Sequence, residues 1–387
     1  MKSQLNGNVL TLYFEGELNS YNADNIEREI EAILKQNQFQ QLILDFANLR
    51  YISSAGLRII LKLKQKHPMT SVVEASLEVY DVLTMTGFTN IMEIHKALKR
   101  VYLSGAEVVG EGFFSTVYRI DKETIIKVFN RTSDANQIER ELKLAKEAFV
   151  LGIPTAISFD IVRVDDKLGV RFEMLDCDSL KNTFIKYPEQ YESLVRKYVE
   201  LLKKINTTET VDDTLPDMKA FYFKKLDFIK EHFTKEENDK LLELVKSIPE
   251  AITFIHGDCH FKNIMVQRDE LLLIDMDTLS RGNPIFELAA IYAPYVAFEE
   301  DDAGNTEKFL GVTASFAVKL FNDIVRGYFA GQNADLNDIF NKIKLLSYIH
   351  MVWWNRVNEP QNVKRFNGCK ERLLKLLPLV DNLNVGL

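Results

Sequence analysis

Three side chains between positions 258 and 275 have the types and spacing that phosphoryl transfer requires. Asp258 stands five residues before Asn263 in His256-Gly257-Asp258-Cys259-His260-Phe261-Lys262-Asn263, and Asp275 closes the apolar run Leu271-Leu272-Leu273-Ile274. Moving a phosphoryl group asks little covalent chemistry of a protein. It needs an acceptor hydroxyl held in line, a divalent metal on the phosphates and positive charge on the nucleotide. An Asp five residues before an Asn can place both on one short loop, the carboxylate facing the acceptor and the amide facing the metal. Asp275, at the end of an apolar strand, supplies a second hard oxygen ligand of the kind Mg²⁺ prefers. Reading these residues as scattered surface carboxylates would require two correctly ordered pieces to coincide. His256 is expected to hydrogen-bond the loop backbone, because Asp258 already occupies the position of a base.

Upstream residues supply what this loop lacks. Gly110-Glu111-Gly112-Phe113-Phe114-Ser115-Thr116-Val117 begins like a phosphate-covering hairpin, where missing side chains let backbone N–H groups approach oxygens. It has two glycines with Ser115 in the third place, and an ordinary β-turn would also explain it. Lys127 lies in the apolar strand Ile125-Ile126-Lys127-Val128-Phe129, where an unpaired ammonium would be costly. The helix that follows offers Glu139 and Glu141 as partners that would orient the ammonium on the phosphates of ATP.

The order of glycine-rich hairpin, strand Lys, helix Glu, H-G-D-x-x-x-x-N and I-D resembles the aminoglycoside phosphotransferase and choline kinase group. Ile274-Asp275-Met276-Asp277-Thr278 through Asn283-Pro284-Ile285-Phe286-Glu287-Leu288-Ala289 is similar to that group's I-D-x-x … P-x-x-D-L-A segment. The resemblance covers residues 106–300 well and the later helices loosely. It implies a two-lobed α+β, protein-kinase-like domain over 106–387, with an N-lobe at 106–176 and a C-lobe at 177–387. It also implies roles: Asp258 orients or deprotonates the acceptor, and Asn263 and Asp275 hold Mg²⁺. Gly110, Gly112, Ser115 and Lys127 attend the ATP phosphates, Glu141 rather than Glu139 pairs with Lys127, and Glu173 to Leu175 form the hinge at adenine. Two departures stand out. Glu287 replaces the usual Asp, and the glycine loop is thinned; neither removes a catalytic group.

Residues 1–102 read as a small α/β unit in which strands and helices alternate. Strand-like runs at Val9 to Glu17, Leu42 to Phe46 and Ser71 to Glu74 are separated by helices carrying Ile26, Ile30 and Ile33, and Leu57, Ile60 and Leu61. A third helix around Leu77 to Met85 stops at Gly87. The segment from Asp45 through Ser53-Ser54-Ala55-Gly56-Leu57 resembles the STAS domain of anti-sigma-factor antagonists. That resemblance implies a protein partner and makes Ser54 a regulatory phosphosite at a helix N-terminus, where backbone N–H groups stabilise negative charge. Ser53 stands where that family has Asp, and capping of the helix by Ser53 or Ser54 is expected in either case.

The 387 residues are 46% hydrophobic and 27% charged, an ordinary globular composition. Residues 1–102 are charge-balanced at 11 basic and 11 acidic side chains, so the later residues carry the whole net charge of −8. Nucleic acid is held by phosphate neutralisation, so this balance argues against it. It is compatible with a cationic or amine-bearing small-molecule acceptor. Glu299-Glu300-Asp301-Asp302 is expected to be a solvated loop, and Trp353-Trp354 part of a buried helix face. No apolar run is long enough to span a bilayer, and the polar start lacks the core of a signal peptide, so a cytoplasmic protein is expected. The three cysteines form no disulfide or zinc pattern. The functional expectation is an ATP-dependent kinase for a small-molecule hydroxyl, regulated or localised by the STAS domain. Two alternatives are a signalling adaptor that senses nucleotide without turnover and a serine protein kinase.

Overall fold

A computed structural model describes residues 1–111, 115–130, 135–175, 177–210 and 215–386, with the side chains of residues 135–137 and 141 outside that description. The chain divides into two units, Met1–Tyr102 with Val162–Asp166, and Leu103–Ile161 with Lys167–Leu387.

In the first unit five strands form one sheet in chain order: β1 (Lys2–Asn6), β2 (Val9–Leu18), β3 (Gln41–Ile52), β4 (Thr70–Ala75) and β5 (Ile94–Lys96). β1 and β2 form an antiparallel hairpin, and every later neighbour is parallel. Parallel neighbours need crossovers. Helices α1 (Ala23–Gln36), α2 (Ser54–Lys66) and α3 (Leu77–Met85) provide them. Leu10, Leu12 and Phe14 on β2 and Leu42, Leu44 and Phe46 on β3 are buried on one face. This is the period-two pattern of a strand with one covered side. Ile30, Ile59, Ile60 and Leu63 from the helices close that core. A last short strand, β6 (Lys99–Arg100), pairs in parallel with Val162 and Arg163.

The segment that carries the serines is tightly built. Ser53 is the N-cap of α2, with extended backbone and a side-chain oxygen that accepts the Gly56 N–H at 3.4 Å. Ser54 is the first helical residue and is exposed. Gly56 packs so closely that a Cβ there would sit 2.6 Å from Leu18 Cγ and 2.9 Å from the Leu18 carbonyl. The glycine therefore lets α2 start hard against the end of β2.

The second unit begins with β7 (Glu107–Glu111), β8 (Ser115–Arg119), β9 (Thr124–Phe129), α4 (Ala135–Val150), β10 (Ser158–Val164, whose end from Val162 on belongs to the first unit) and β11 (Lys167–Glu173). These strands lie in the order β10-β11-β9-β8-β7, which makes β9 central. Ile126 and Val128 on β9 are buried, and Lys127 between them points to the opposite face. β12 (Asp178–Ser179) leads into α5 (Leu180–Lys186), α6 (Tyr191–Thr207), α7 (Met218–Ile229) and α8 (Lys235–Lys246). A β-island follows: β13 (Phe254–Ile255), β14 (Ile264–Gln267), β15 (Glu270–Leu273) and β16 (Ser280–Arg281). The remaining helices are α9 (Ile285–Tyr292), α10 (Phe298–Asp301), α11 (Asn305–Leu310), α12 (Ala314–Tyr328), α13 (Leu336–Asn358) and α14 (Val363–Leu376). Their shared core holds Tyr198, Phe254, Phe261, Phe286, Tyr295 and Phe321. The whole is the α+β, two-lobed kinase-like architecture preceded by a small α/β domain. Among the described residues, no helix is long and apolar enough to cross a membrane.

The acidic run at 299–302 differs from the solvated loop expected of it. Glu299 accepts the N–H groups of Gly304 and Thr306 at 2.7 Å each. Glu300 takes the Tyr348 hydroxyl and pairs with Arg372, Asp301 pairs with Arg372, and Asp302 lies 3.4 Å from Arg365. Basic partners some seventy residues later in the chain turn the run into an internal brace. Trp353 and Trp354 are half-buried on α13, edge-on to Phe221 and Phe298.

Because Ser53 makes the capping bond and Ser54 does not, the two serines should separate on substitution. Ser53→Ala is expected to lower the stability of the first unit by about 1 kcal/mol, and Ser54→Ala to leave it nearly unchanged. Thermal unfolding of the two variants side by side checks this.

Candidate active site

The loop from His256 to Asn263 runs between β13 and β14, and a buried carboxylate organises it. Glu287, on the first turn of α9, is fully excluded from solvent. Its oxygens accept the His256 N–H at 2.5 Å and the Gly257 N–H at 3.2 Å, and the Cys259 N–H also supports it. Burial pushes this carboxyl up to about 7, and those donors work against the rise. The Tyr295 hydroxyl, from the π-helical turn Ala293–Ala297, accepts the Phe261 N–H at 2.9 Å. The Tyr198 hydroxyl donates to the Cys259 carbonyl, and Thr278 Oγ1 donates to the His256 carbonyl at 2.6 Å. Gly257 has φ +80°, and a Cβ there would meet the Thr278 carbonyl at 3.0 Å, so glycine suits this position on two counts.

Those anchors bring the polar groups together. Asn263 Nδ2 donates to the Asp258 carbonyl and to Asp258 Oδ2, both at 3.0 Å. With Nδ2 so committed, the amide oxygen is the end of Asn263 left to face a ligand. Asp275 has a left-handed backbone (φ +65°), a conformation that costs free energy in a non-glycine residue and clusters at functional sites. Its carboxylate meets Lys127 Nζ at 2.5 Å, which joins the central N-lobe strand to the end of the β14–β15 hairpin. His256 accepts the Asp258 N–H at Nδ1 (3.3 Å), which leaves Nε2 to donate to the Ile274 carbonyl at 3.2 Å. Burial holds this imidazole down to about 4, so it stays neutral and structural.

Asp258 sits among like charges. Desolvation first, then the Asp275 and Asp277 carboxylates, push it up to about 8, against the hydrogen bond from Asn263. Its side chain keeps 43% of its surface open to water, and that solvent tempers the rise. His260 presents Nε2 to Asp258 Oδ1 at 3.5 Å and is itself 4% exposed.

The other residues singled out from the sequence fall as follows. Gly110 lies opposite Val117 in the β7–β8 hairpin, and Ser115 is buried opposite Phe129. Gly112 and the Glu141 side chain lie outside the described residues. At the end of β11 the Glu173 side chain accepts the Ile157 N–H at 2.7 Å, and the Glu173 N–H donates to the Ile157 carbonyl. Leu175 is buried, and its carbonyl accepts the Cys177 N–H at 3.0 Å. The structure adds Tyr198, Tyr295 and Thr278, which sequence reasoning missed. Each acts through one hydrogen bond to a loop distant in sequence, a kind of contact with no local pattern. Glu287 stood out in the sequence only as a departure from a motif.

A β-hairpin lobe over a helical lobe, with Lys, Asp–x₄–Asn and a strand-end Asp in the cleft, defines a kinase-like phosphotransferase. Residues 105–312 match the phosphotransferase enzyme family, and the chain belongs to that family. Residues 1–101 match the STAS domain. A putative anti-sigma factor antagonist of Bordetella bronchiseptica is 32% identical over 90 residues, 22% of this chain and 77% of that protein. An anti-sigma F factor antagonist of Paenibacillus polymyxa is 28% identical over 91 residues, 22% of this chain and 78% of that protein. Among solved structures, a gentamicin complex of an aminoglycoside 2″-phosphotransferase has a TM-score of 0.47 at 12% identity, covering 71% of this chain and 93% of that one. A macrolide 2′-phosphotransferase type I has a TM-score of 0.43 at 10% identity, covering 77% and 97%.

Removing the Glu287 carboxylate strands buried N–H groups. Glu287→Ala is expected to cost about 3 kcal/mol or more, read from denaturant unfolding. Glu287→Gln adds a pH signature. The folded carboxyl, near 7, lies above its ordinary 4.5, so its contribution to stability is fully present below 4.5 and is lost as pH rises through 7. The stability of the native protein relative to Glu287→Gln should therefore fall across that window, by at most about 1.4 kcal/mol per pH unit.

Proposed function

We propose that residues 106–387 transfer the γ-phosphoryl group of ATP to the hydroxyl of a small molecule, and that residues 1–102 tune or localise this activity by binding a protein partner. The observation that carries this reading is the single cleft in which Lys127 meets Asp275 and Asn263 meets Asp258. Mg²⁺ fits the donors present. Asn263 and Asp275 offer an amide and a carboxylate oxygen, and among the described residues no cage of three or more His, Cys, Asp or Glu exists. An ion that keeps several waters and shares phosphate oxygens suits such a sparse set. When bound it would neutralise charge on the transferring phosphates.

The chain's own residues do the rest. Lys127 places an ammonium on the nucleotide phosphates with Glu141 as the residue that orients it, and Gly110, Gly112 and Ser115 attend the same phosphates. The backbone of Glu173 to Leu175 holds adenine. Asp258 receives the acceptor hydroxyl as a hydrogen-bond acceptor and takes its proton as the O–P bond forms. Asn263 keeps that carboxylate aimed through its Nδ2 bond. His256 remains neutral and holds the loop against Ile274. In the STAS domain, the exposure of Ser54 at the first turn of α2 supports a phosphosite read by the partner. A cytoplasmic location, where ATP is available as donor, is part of the same proposal.

The test is Mg²⁺-dependent transfer of labelled γ-phosphate from ATP across a panel of amines, aminoglycosides and amino alcohols. Asp258→Ala should lower turnover by about 10²- to 10⁴-fold. Unchanged turnover in that variant would remove Asp258 from the reaction, and phosphate recovered on Ser54 would favour a serine protein kinase.

A further inference from the structure

Beside the candidate catalytic Asp258 lies a contiguous cluster that the phosphotransfer reading leaves unused. His260 presents Nε2 to Asp258 and stacks edge-on against Phe309, with ring centroids 5.5 Å apart. Lys262 Nζ lies 4.7 Å from the centroid of the same Phe309 ring and donates to the Phe309 carbonyl at 2.9 Å. Two residues further along, Gly311 ends α11 in the left-handed conformation, and the Lys181 ammonium sits 2.7 Å from where a Cβ on that glycine would stand. The Lys181 backbone N–H is tied to the Phe261 carbonyl at 3.2 Å, so α5 and the catalytic loop are in register here.

Two ammonium groups thus converge on the end of α11. Among the described residues no carboxylate forms an ion pair with either one. The free carbonyls of a helix C-terminus carry only about half an elementary charge. That partial charge offsets only part of the two ammonium charges, and the Asp258 carboxylate also acts on Lys262, which is exposed to solvent. The buried Nδ1 of His260 also has no hydrogen-bond partner among the described residues. A buried ring nitrogen of His260 without a partner and two ammonium groups without an ion-paired carboxylate thus lie together beside Asp258.

We propose that the acceptor carries an anionic group, phosphate or carboxylate, which Lys181 and Lys262 bind while its hydroxyl lies against Asp258 and His260. The proposal rests on the phosphotransferase reading of Asp258 and fixes the chemical class of its acceptor. The net charge of −8 does not oppose it. Charges farther away than a Debye length, about 8–10 Å at physiological salt, are screened, so near groups set the local field: Lys181 and Lys262 where the anionic group binds, and the carboxylates of Asp258, Asp275 and Asp277 where the hydroxyl reacts. Gly311 contributes by omission, because any side chain there would displace the Lys181 ammonium. No redox or added co-reactant is needed: the acceptor O–H bond breaks toward Asp258, the new O–P bond forms, and ADP leaves.

The experiment measures binding separately from turnover. The full chain, free of nucleotide, is titrated calorimetrically with matched pairs: glycerol 3-phosphate against glycerol, and gluconate against sorbitol, with glucosamine as the cationic control. The anionic member of each pair that binds should do so about tenfold or more tightly than its neutral mate, a difference of about 1.4 kcal/mol. Lys181→Ala with Lys262→Ala should abolish that preference, and Lys127→Ala should leave it in place. A phosphate pair alone showing the preference selects phosphate as the group, and both pairs select any anion. Absence of a preference for the anionic members, a preference for glucosamine, or loss of the preference only in Lys127→Ala would overturn the proposal. Phosphate transfer is then followed in Asp258→Asn. Intact anion preference with transfer unaffected by Asp258→Asn sinks the catalytic reading of Asp258 and leaves the anion site standing. The reverse pattern sinks the anion site alone.

Discussion

One buried carboxylate holds the candidate catalytic loop in shape. Glu287 gives its two oxygens to successive backbone N–H groups at His256 and Gly257. A turn that points several N–H groups inward would otherwise leave them buried without acceptors, at about 1–3 kcal/mol each. Tyr295, Tyr198 and Thr278 complete the same task from three other elements. Asp258 and Asn263 can therefore sit on an irregular segment and still have defined positions. Substitution of the family's usual Asp by Glu extends the carboxylate by one methylene, and the distances show that the longer side chain still reaches.

Electrostatics in the cleft is a balance of near neighbours. Asp258, Asp275 and Asp277 concentrate negative charge, and Lys127 from the N-lobe answers it at Asp275. In the proposed reaction, a divalent ion and nucleotide phosphates would enter a place where opposing charges are already arranged. The lysines at 181 and 262 lie on different elements from Lys127, at the end of α11, and give a second positive focus beyond Asp258. Net charge over the whole chain predicts none of this, because screening makes the field in a cleft a matter of its closest groups.

The STAS domain uses a different economy. Its mostly parallel sheet and crossover helices form a self-contained core. Ser53 is committed to the cap of α2, and Gly56 admits the close approach to Leu18. That division leaves Ser54 exposed at the helix start.

Much of this was legible in the sequence because it depends on local chemistry. Alternating apolar residues outlined β2, an apolar run outlined β3, and the limits of α3 followed from periodicity and the stop at Gly87. The Asp–x₄–Asn spacing and the strand-end Asp pointed to a phosphotransferase, and the S-S-G-L segment pointed to the STAS domain. Short strands such as β1 and β5 carried too few residues to show a period. Only the tertiary structure decided which distant groups meet. It set Lys127 on Asp275, 148 residues away, placed Tyr198 and Tyr295 under the loop, and turned the acidic run at 299–302 into a brace. It also brought Lys181 and Lys262 to one helix end. Spacing along the chain specifies what a loop can do, because neighbouring residues share one backbone path. What charges a site and satisfies its buried donors comes from elements folded together over long separations, and local sequence holds no record of those contacts.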